Sequence, residues 1–142
     1  MPNNKENSVN VHPVKILHTT ICVPFEVAYE FTHQPHNFPR WAAGLSKSLQ
    51  HTEKGWIAST PEGDAIVQFS ERNSHGVLDH WVRLNEKPVT YVPLRMIANG
   101  DATEVELVLF RQPHMTDEAF ARDAASVTSD LSTLKRLLES MH

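Results

Sequence analysis

NGDATEVELVLFR, residues 99–111, opens on a turn and then alternates. Glu104 and Glu106 must face water, so Val105, Leu107 and Leu109 share the opposite face, the pattern of a half-buried strand. Past Pro113 the period changes. Phe120, Val127, Leu131, Leu134 and Leu138 recur at steps of 7, 4, 3 and 4, one stripe of a long helix. Thr116 suits its N-cap, with Asp117 and Glu118 in the first turn, where the helix dipole favours acids. A long helix with one apolar stripe needs a sheet to pack on.

That sheet is supplied upstream. From about Ser46 to Arg111 the turn signals EKG (53–55), PEGD (61–64), ERNSHG (71–76), NEKP (85–88) and NGDA (99–102) follow one another with no helix between them. Such spacing predicts an antiparallel meander. Earlier, Val14 to Val23 reads as a strand and Pro24 sits in the first turn of a helix, where its missing N–H costs nothing. PFEVAYEF places Val27, Ala28 and Phe31 on one helical face. A break at Gln34-Pro35 precedes a second short helix or turn, HNFPRWAAGL, ending near Gly44. Residues 1–12 are a polar, frayed tail and 13–142 one domain. The class is α+β: a strongly curved antiparallel sheet of about six or seven strands wrapped around the C-terminal helix, with two short helices after the first strand. A curved sheet cannot press evenly along a straight rod, so a cavity between them is the natural functional feature.

Composition narrows the function classes. Hydrophobic residues make up 40% of the 142 and charged residues 21%, as in an ordinary globule. A formal charge of -4 and the lack of a basic cluster beyond Lys135-Arg136 argue against nucleic acid as a partner. No apolar run approaches the roughly 18 residues of a membrane span, and no leader pattern is visible, so a cytoplasmic location is expected. Cys22 is the single cysteine; between Ile21 and Val23 it reads as a buried, inert thiol. Among nine histidines, His33 and His36 are separated by Gln34-Pro35, which breaks the register of a two-histidine clamp, and His75 and His80 lack a third ligand. No metal is expected. No cofactor is expected either, since no phosphate-cradling loop or dinucleotide fingerprint appears. Ser46 and Ser48 follow Gly44 without a nucleophile-elbow pattern.

The order of elements, with NFPRWAAG (37–44), GVLDHWV (76–82), NGDATEVELVLFR (99–111) and SDLSTLKRLLE (129–139), resembles the SRPBCC superfamily. This is the helix-grip or START-like group of polyketide cyclase/dehydrase-like proteins, lipid-transfer domains and birch-allergen-like proteins. The resemblance runs from about Val14 to Glu139. It implies a deep hydrophobic ligand pocket between sheet and long helix. It implies no single chemistry, because the superfamily mixes carriers, sensors and enzymes without a shared catalytic signature.

Strand parity assigns the walls of such a pocket. The NGDA turn pairs Ala98 with Thr103, which sets Val92, Leu94 and Met96 opposite the inward set and Arg95 across from Glu106 as an exposed pair worth little. The PEGD turn pairs Thr60 with Ala65, putting Trp56, Ala58, Ala65, Val67 and Phe69 on the inner face. GVLDHWVRLNEK (76–87) is the hard case. Val77, Asp79, Trp81 and Arg83 share one face; Leu78, His80, Val82 and Leu84 share the other. A four-residue loop at NEKP turns the first set inward, and a three-residue loop, pairing His80 with Val92, turns the second. Burying both Asp79 and Arg83 would cost several kcal/mol unless well paired, so Leu78, His80 and Val82 are taken as inward. Asp79 and His80 then cannot form a dyad unless a bulge intervenes. Trp81 would lie beside Tyr91 near Val108 and Phe110, an outer patch that either closes a homodimer or is ordinary surface decoration.

Three functions fit. The first is binding of a small apolar or aromatic molecule, with Trp41 and Trp56 at the mouth and His80 as polar contact. Its walls would be Val67, Phe69, Leu78, Val82, Val92, Leu94, Met96, Leu107 and Leu109, with Phe120, Ala124, Val127 and Leu131 from the helix. The second is a cyclase/dehydrase-like enzyme in which His80 moves protons; the plainer reading is a histidine satisfied by a polar neighbour. The third is a protein-interaction domain of the chaperone-activator type, using the outer sheet face.

Overall fold

The computed structural model describes residues 9–43 and 49–142; the first eight residues, Gly44, Ser46 and Ser48 lie outside the described residues. β1 (Val14–Ile21) leads through Pro24, the N-cap, into α1 (Phe25–Thr32) and a 3-10 turn (Pro35–Arg40). The meander runs β2 (Leu49–Thr52), β3 (Gly55–Thr60), β4 (Gly63–Phe69), β5 (His80–Leu84), β6 (Thr90–Val92), β7 (Leu94–Asn99) and β8 (Ala102–Phe110) before α2 (Asp117–Ser140). Two antiparallel sheets result, ordered β1-β8-β7 and β2-β3-β4-β5-β6. The α+β helix-grip arrangement is present, with two sheets in place of one and more strands than expected.

Local chemistry sets the turns. TEKG and TPEG use one device: the Thr hydroxyl donates to the carbonyl of the glycine three residues on and accepts from the N–H two residues on. The second turn is therefore tighter than the PEGD reading, with Thr60 opposite Gly63 and Ala58 opposite Ala65. The shift is two residues, so the inner face is unchanged. At NGDA, Ala98 does face Thr103. In the loop 71–76, Asn73 Oδ1 accepts from His75 and Val77 N–H, while its own N–H donates to Tyr29 Oη. Gly76 then meets β7: a Cβ there would lie 2.1 Å from the Met96 carbonyl oxygen, and its φ of +72° is left-handed.

The join between the sheets is Gly76–His80 against Val92–Met96. Val77 faces Arg95, and three residues on, His80 faces Val92, so the register is continuous and no bulge is inserted. The ladder breaks because the Leu94 N–H goes to the Asp79 carboxylate instead of Leu78 O, while Pro93 turns its carbonyl to Val108 N–H on β8. Arg95 grips the same carboxylate through Nε and Nη2, both at 2.8 Å, and Tyr91 Oη donates to it at 2.6 Å. Asp79 is thus on the outer face, as expected, yet buried. Arg95 lies across from Glu106 but pairs with Asp79, which corrects the exposed Arg95–Glu106 pair.

The core gathers Ile21, Leu94, Met96 and Val105 from the strands and Val23 from the turn after β1, with Leu131, Leu134 and Leu138 from α2. Thr116 Oγ1 caps α2 by accepting from Ala119 N–H. In α1 the buried stripe is Ala28, Tyr29 and Thr32, with Val27 and Phe31 only partly buried, a rotation from the expected face. Cys22 is exposed, not buried, since β1 ends at Ile21 and the chain turns, leaving Ile21 and Val23 as the inward pair. Of the described part of the expected tail, His12 is docked: its ring bonds Arg111 O and meets Phe110 edge-on.

Removing either half of a buried, hydrogen-bonded ion pair strands the other half. Asp79→Ala is expected to cost about 3 kcal/mol, and Arg95→Met about 2, less because Arg95 is half-exposed. Urea unfolding measures both; a loss below about 0.5 kcal/mol, the range of ordinary surface substitutions, would remove this pair as the joint between the sheets.

Candidate functional site

A cavity of about 340 Å³ lies between the inner faces of β5, β6 and β8 and the middle of α2, with the 3-10 turn at one side. Alternation on the strands turns His80, Val82, Thr90, Val92, Leu107 and Leu109 toward it. Phe38, Trp41 and Ala42 come from the 3-10 turn and the residues after it, and Asp123, Ser126, Val127, Asp130 and Leu131 from α2. Phe38 is the hub, with edge-on ring contacts to Trp41 at 5.1 Å, Phe69 at 5.2 Å and His80 at 5.3 Å. Val127 is only half-buried although it continues the apolar stripe, because the cavity lies where its packing partner would be.

The structure brings together Trp41, His80, Val82, Val92, Leu107, Leu109, Val127 and Leu131. The other anticipated residues lie elsewhere. Val67 and Met96 are core, and Phe120 and Ala124 are buried nearer the start of α2. Phe69, Leu78 and Leu94 line a small crevice on the other side of His80. Trp56 stacks on His51 at 4.7 Å, outside the cavity wall. Phe38, Ala42, Thr90, Asp123, Ser126 and Asp130 are wall residues that strand parity and the apolar stripe did not single out. Two spacings point to some of them: Phe38 lies three residues before Trp41, and Asp123 and Asp130 flank Val127 at helical steps of four and three.

The electrostatics are uneven. Burial pushes the His80 imidazole below its ordinary value of 6.5, against the pull of Leu78 O and Asp79, so the ring is neutral at pH 7. Its Nδ1 donates to Leu78 O at 3.2 Å, the carbonyl freed when Leu94 N–H turned to Asp79, and Nε2 has no partner among the described residues. Burial raises Asp123 despite neighbouring Arg122, and raises Asp130 despite the Ala43 N–H bonded to its Oδ1 at 3.1 Å. Trp41, 4% exposed, holds its Nε1 without a hydrogen-bond partner among the described residues. On the outer face Trp81 stacks on Tyr91 at 5.4 Å and Tyr91 on Phe110 at 6.3 Å. The Tyr91 hydroxyl in that stack is committed to Asp79.

No family model matches the chain, and no curated protein does. Solved structures do. An uncharacterised protein from Bacillus thuringiensis superposes with a TM-score of 0.71 at 17% identity, covering 89% of this chain and 98% of its own. A START superfamily protein from Mycobacterium smegmatis gives 0.67 at 9%, covering 91% and 99%. DynU16, a protein in the dynemicin biosynthetic locus, gives 0.68 at 14%, covering 89% of this chain and 47% of that one. The fold is therefore the START-like helix-grip fold that the resemblance to the SRPBCC superfamily implied. No helix among the described residues is long and apolar enough to cross a membrane.

A histidine buried in its neutral form resists protonation, so protonation favours the unfolded chain. The stability contributed by neutral His80 is fully present above its ordinary value of 6.5 and is lost as pH falls through the lowered folded value. Asp79, which burial raises but its hydrogen bonds from Arg95, Tyr91 and Leu94 lower further, loses its contribution only below 3.8. Thermal unfolding followed from about pH 7 to pH 5 should therefore fall less steeply in His80→Asn than in the parent. Parallel curves would show that His80 is not the group being protonated.

Proposed function

We propose that the chain binds a small apolar or aromatic molecule in the cavity between the curved sheet and α2, as a cytoplasmic carrier, sensor or sequestering protein. The observation that carries this is the cavity itself: about 340 Å³ walled by Phe38, Trp41, Val82, Val92, Leu107 and Leu109, at a point where the apolar stripe of α2 would otherwise be covered. The volume is of the order of small-molecule sites, roughly 300–1,000 Å³, and the wall has their composition: apolar and aromatic, with few polar groups. A START superfamily protein and a protein of a biosynthetic locus among the similar structures agree with such a role.

A second reading is favoured by His80. A neutral imidazole with Nδ1–H held by a carbonyl and Nε2 unbonded is arranged to accept a proton from a molecule in the cavity. Under this reading the enclosure fixes the conformation of a reactive substrate and His80 is the base. His80→Asn separates the two, since a carrier keeps its ligand exchange and an enzyme loses turnover while still binding.

The binding reading predicts that neutral N-phenyl-1-naphthylamine enters the cavity with increased fluorescence. Val127→Trp, which fills the half-buried side of the cavity, should weaken that binding about tenfold or more, roughly 1.4 kcal/mol. Unchanged affinity in a folded Val127→Trp variant would place the dye elsewhere and remove the support for this site.

A further inference from the structure

The charged groups of the cavity wall are all of one sign. Asp123 and Asp130 sit two helical turns apart on α2 with Ser126 between them, and no lysine or arginine is a wall residue. Neither carboxylate is in an ion pair among the described residues, whereas Asp79 is paired with Arg95 and Glu139 with Lys135. The one basic residue in the wall, His80, is uncharged at neutral pH.

We infer that the cavity selects molecules carrying a protonated amine beside an apolar or aromatic body, and discriminates against carboxylates. The inference rests on the binding function proposed above and specifies the ligand's polar end. Phe38, Trp41, Val92 and Leu107 take the body. One of the two carboxylates, half-buried Asp130 or Asp123 at the exposed rim roughly 10 Å along the helix, takes the ammonium group. A carboxylate in the same position would meet a like charge, with no lysine or arginine in the wall. Fatty-acid-like anions are thereby disfavoured, although their chains suit the apolar wall.

Three probes of nearly equal shape test this by calorimetry at pH 7: 2-(2-naphthyl)ethylamine, 2-(2-naphthyl)ethanol and 2-naphthylacetate. The amine is expected to bind at least tenfold more tightly than the carboxylate, with the alcohol between them. In Asp123→Asn/Asp130→Asn the amine-to-carboxylate ratio should collapse toward one; asparagine keeps the size of each side chain and can still accept from Ala43 N–H. A far-ultraviolet spectrum and melting curve establish that the variant is folded. Single substitutions place the effect: a loss confined to Asp123→Asn assigns the amine to the outer carboxylate, one confined to Asp130→Asn to the inner. If the alcohol binds and charge makes no difference, or if the double variant keeps the preference, the inference is overturned and the cavity reading stands. If none of the three binds, both fall together.

Discussion

One carboxylate holds the sheet in its shape. Asp79 accepts four hydrogen bonds, two from Arg95 and one each from Tyr91 and the Leu94 N–H. A buried acid is tolerated only with such saturation, because an unpaired charge in an apolar setting costs several kcal/mol. By taking the Leu94 N–H it removes a rung from the ladder, and the strands part into two sheets without losing register. The same diversion frees Leu78 O, and His80 Nδ1 takes it. The outer-face acid thus orients the inner-face histidine through the backbone between them, with no direct bond from one side chain to the other.

The cavity is the counterpart of that break. α2 packs along β1 and the β7–β8 hairpin through Leu131, Leu134 and Leu138, where the core is closed. Toward its middle the helix faces β5, β6 and the far end of β8, and the sheet has turned away. Val127 and Leu131 therefore have cavity on one side, and of the polar positions beside them Asp130 is half-buried in the wall while Asp123 and Ser126 stand at its exposed rim. Desolvation by the surrounding wall raises both Asp130 and, at the rim, Asp123. Phe38 and Trp41 close the side, edge-on to each other and anchored on His80 and Phe69.

Much of this was legible from residue patterns. Alternation in TEVELVLFR oriented Leu107 and Leu109, and a three-residue turn at NEKP correctly brought His80 opposite Val92. Parity also separated Asp79 from His80. What parity could not supply was depth. Asp79 points outward and is buried all the same, because Arg95 and Tyr91 fold over it; Val67 and Met96 point inward and lie in packed core instead of cavity. Facing is a property of one strand, whereas depth depends on what lies above it. Cys22 shows the same limit at a strand end, where apolar neighbours on both sides suggested burial and the turn of the chain exposed the thiol.

The amino-acid order by itself determined the class, the long capped helix, the turns to within two residues and, outside the 76–84 stretch, which face of the strands it read looks inward. These follow from periods of 2 and 3.6 and from the local chemistry of Gly, Pro, Thr and Asn, all of which act over a few residues. Only the tertiary structure decided where the sheet breaks, which inward residues meet empty space, and that two helix carboxylates border an apolar cavity whose wall holds no lysine or arginine. Those outcomes come from contacts between residues far apart in the chain, such as Asp79 with Arg95 and Asp130 with the backbone of Ala43, and no local period encodes them.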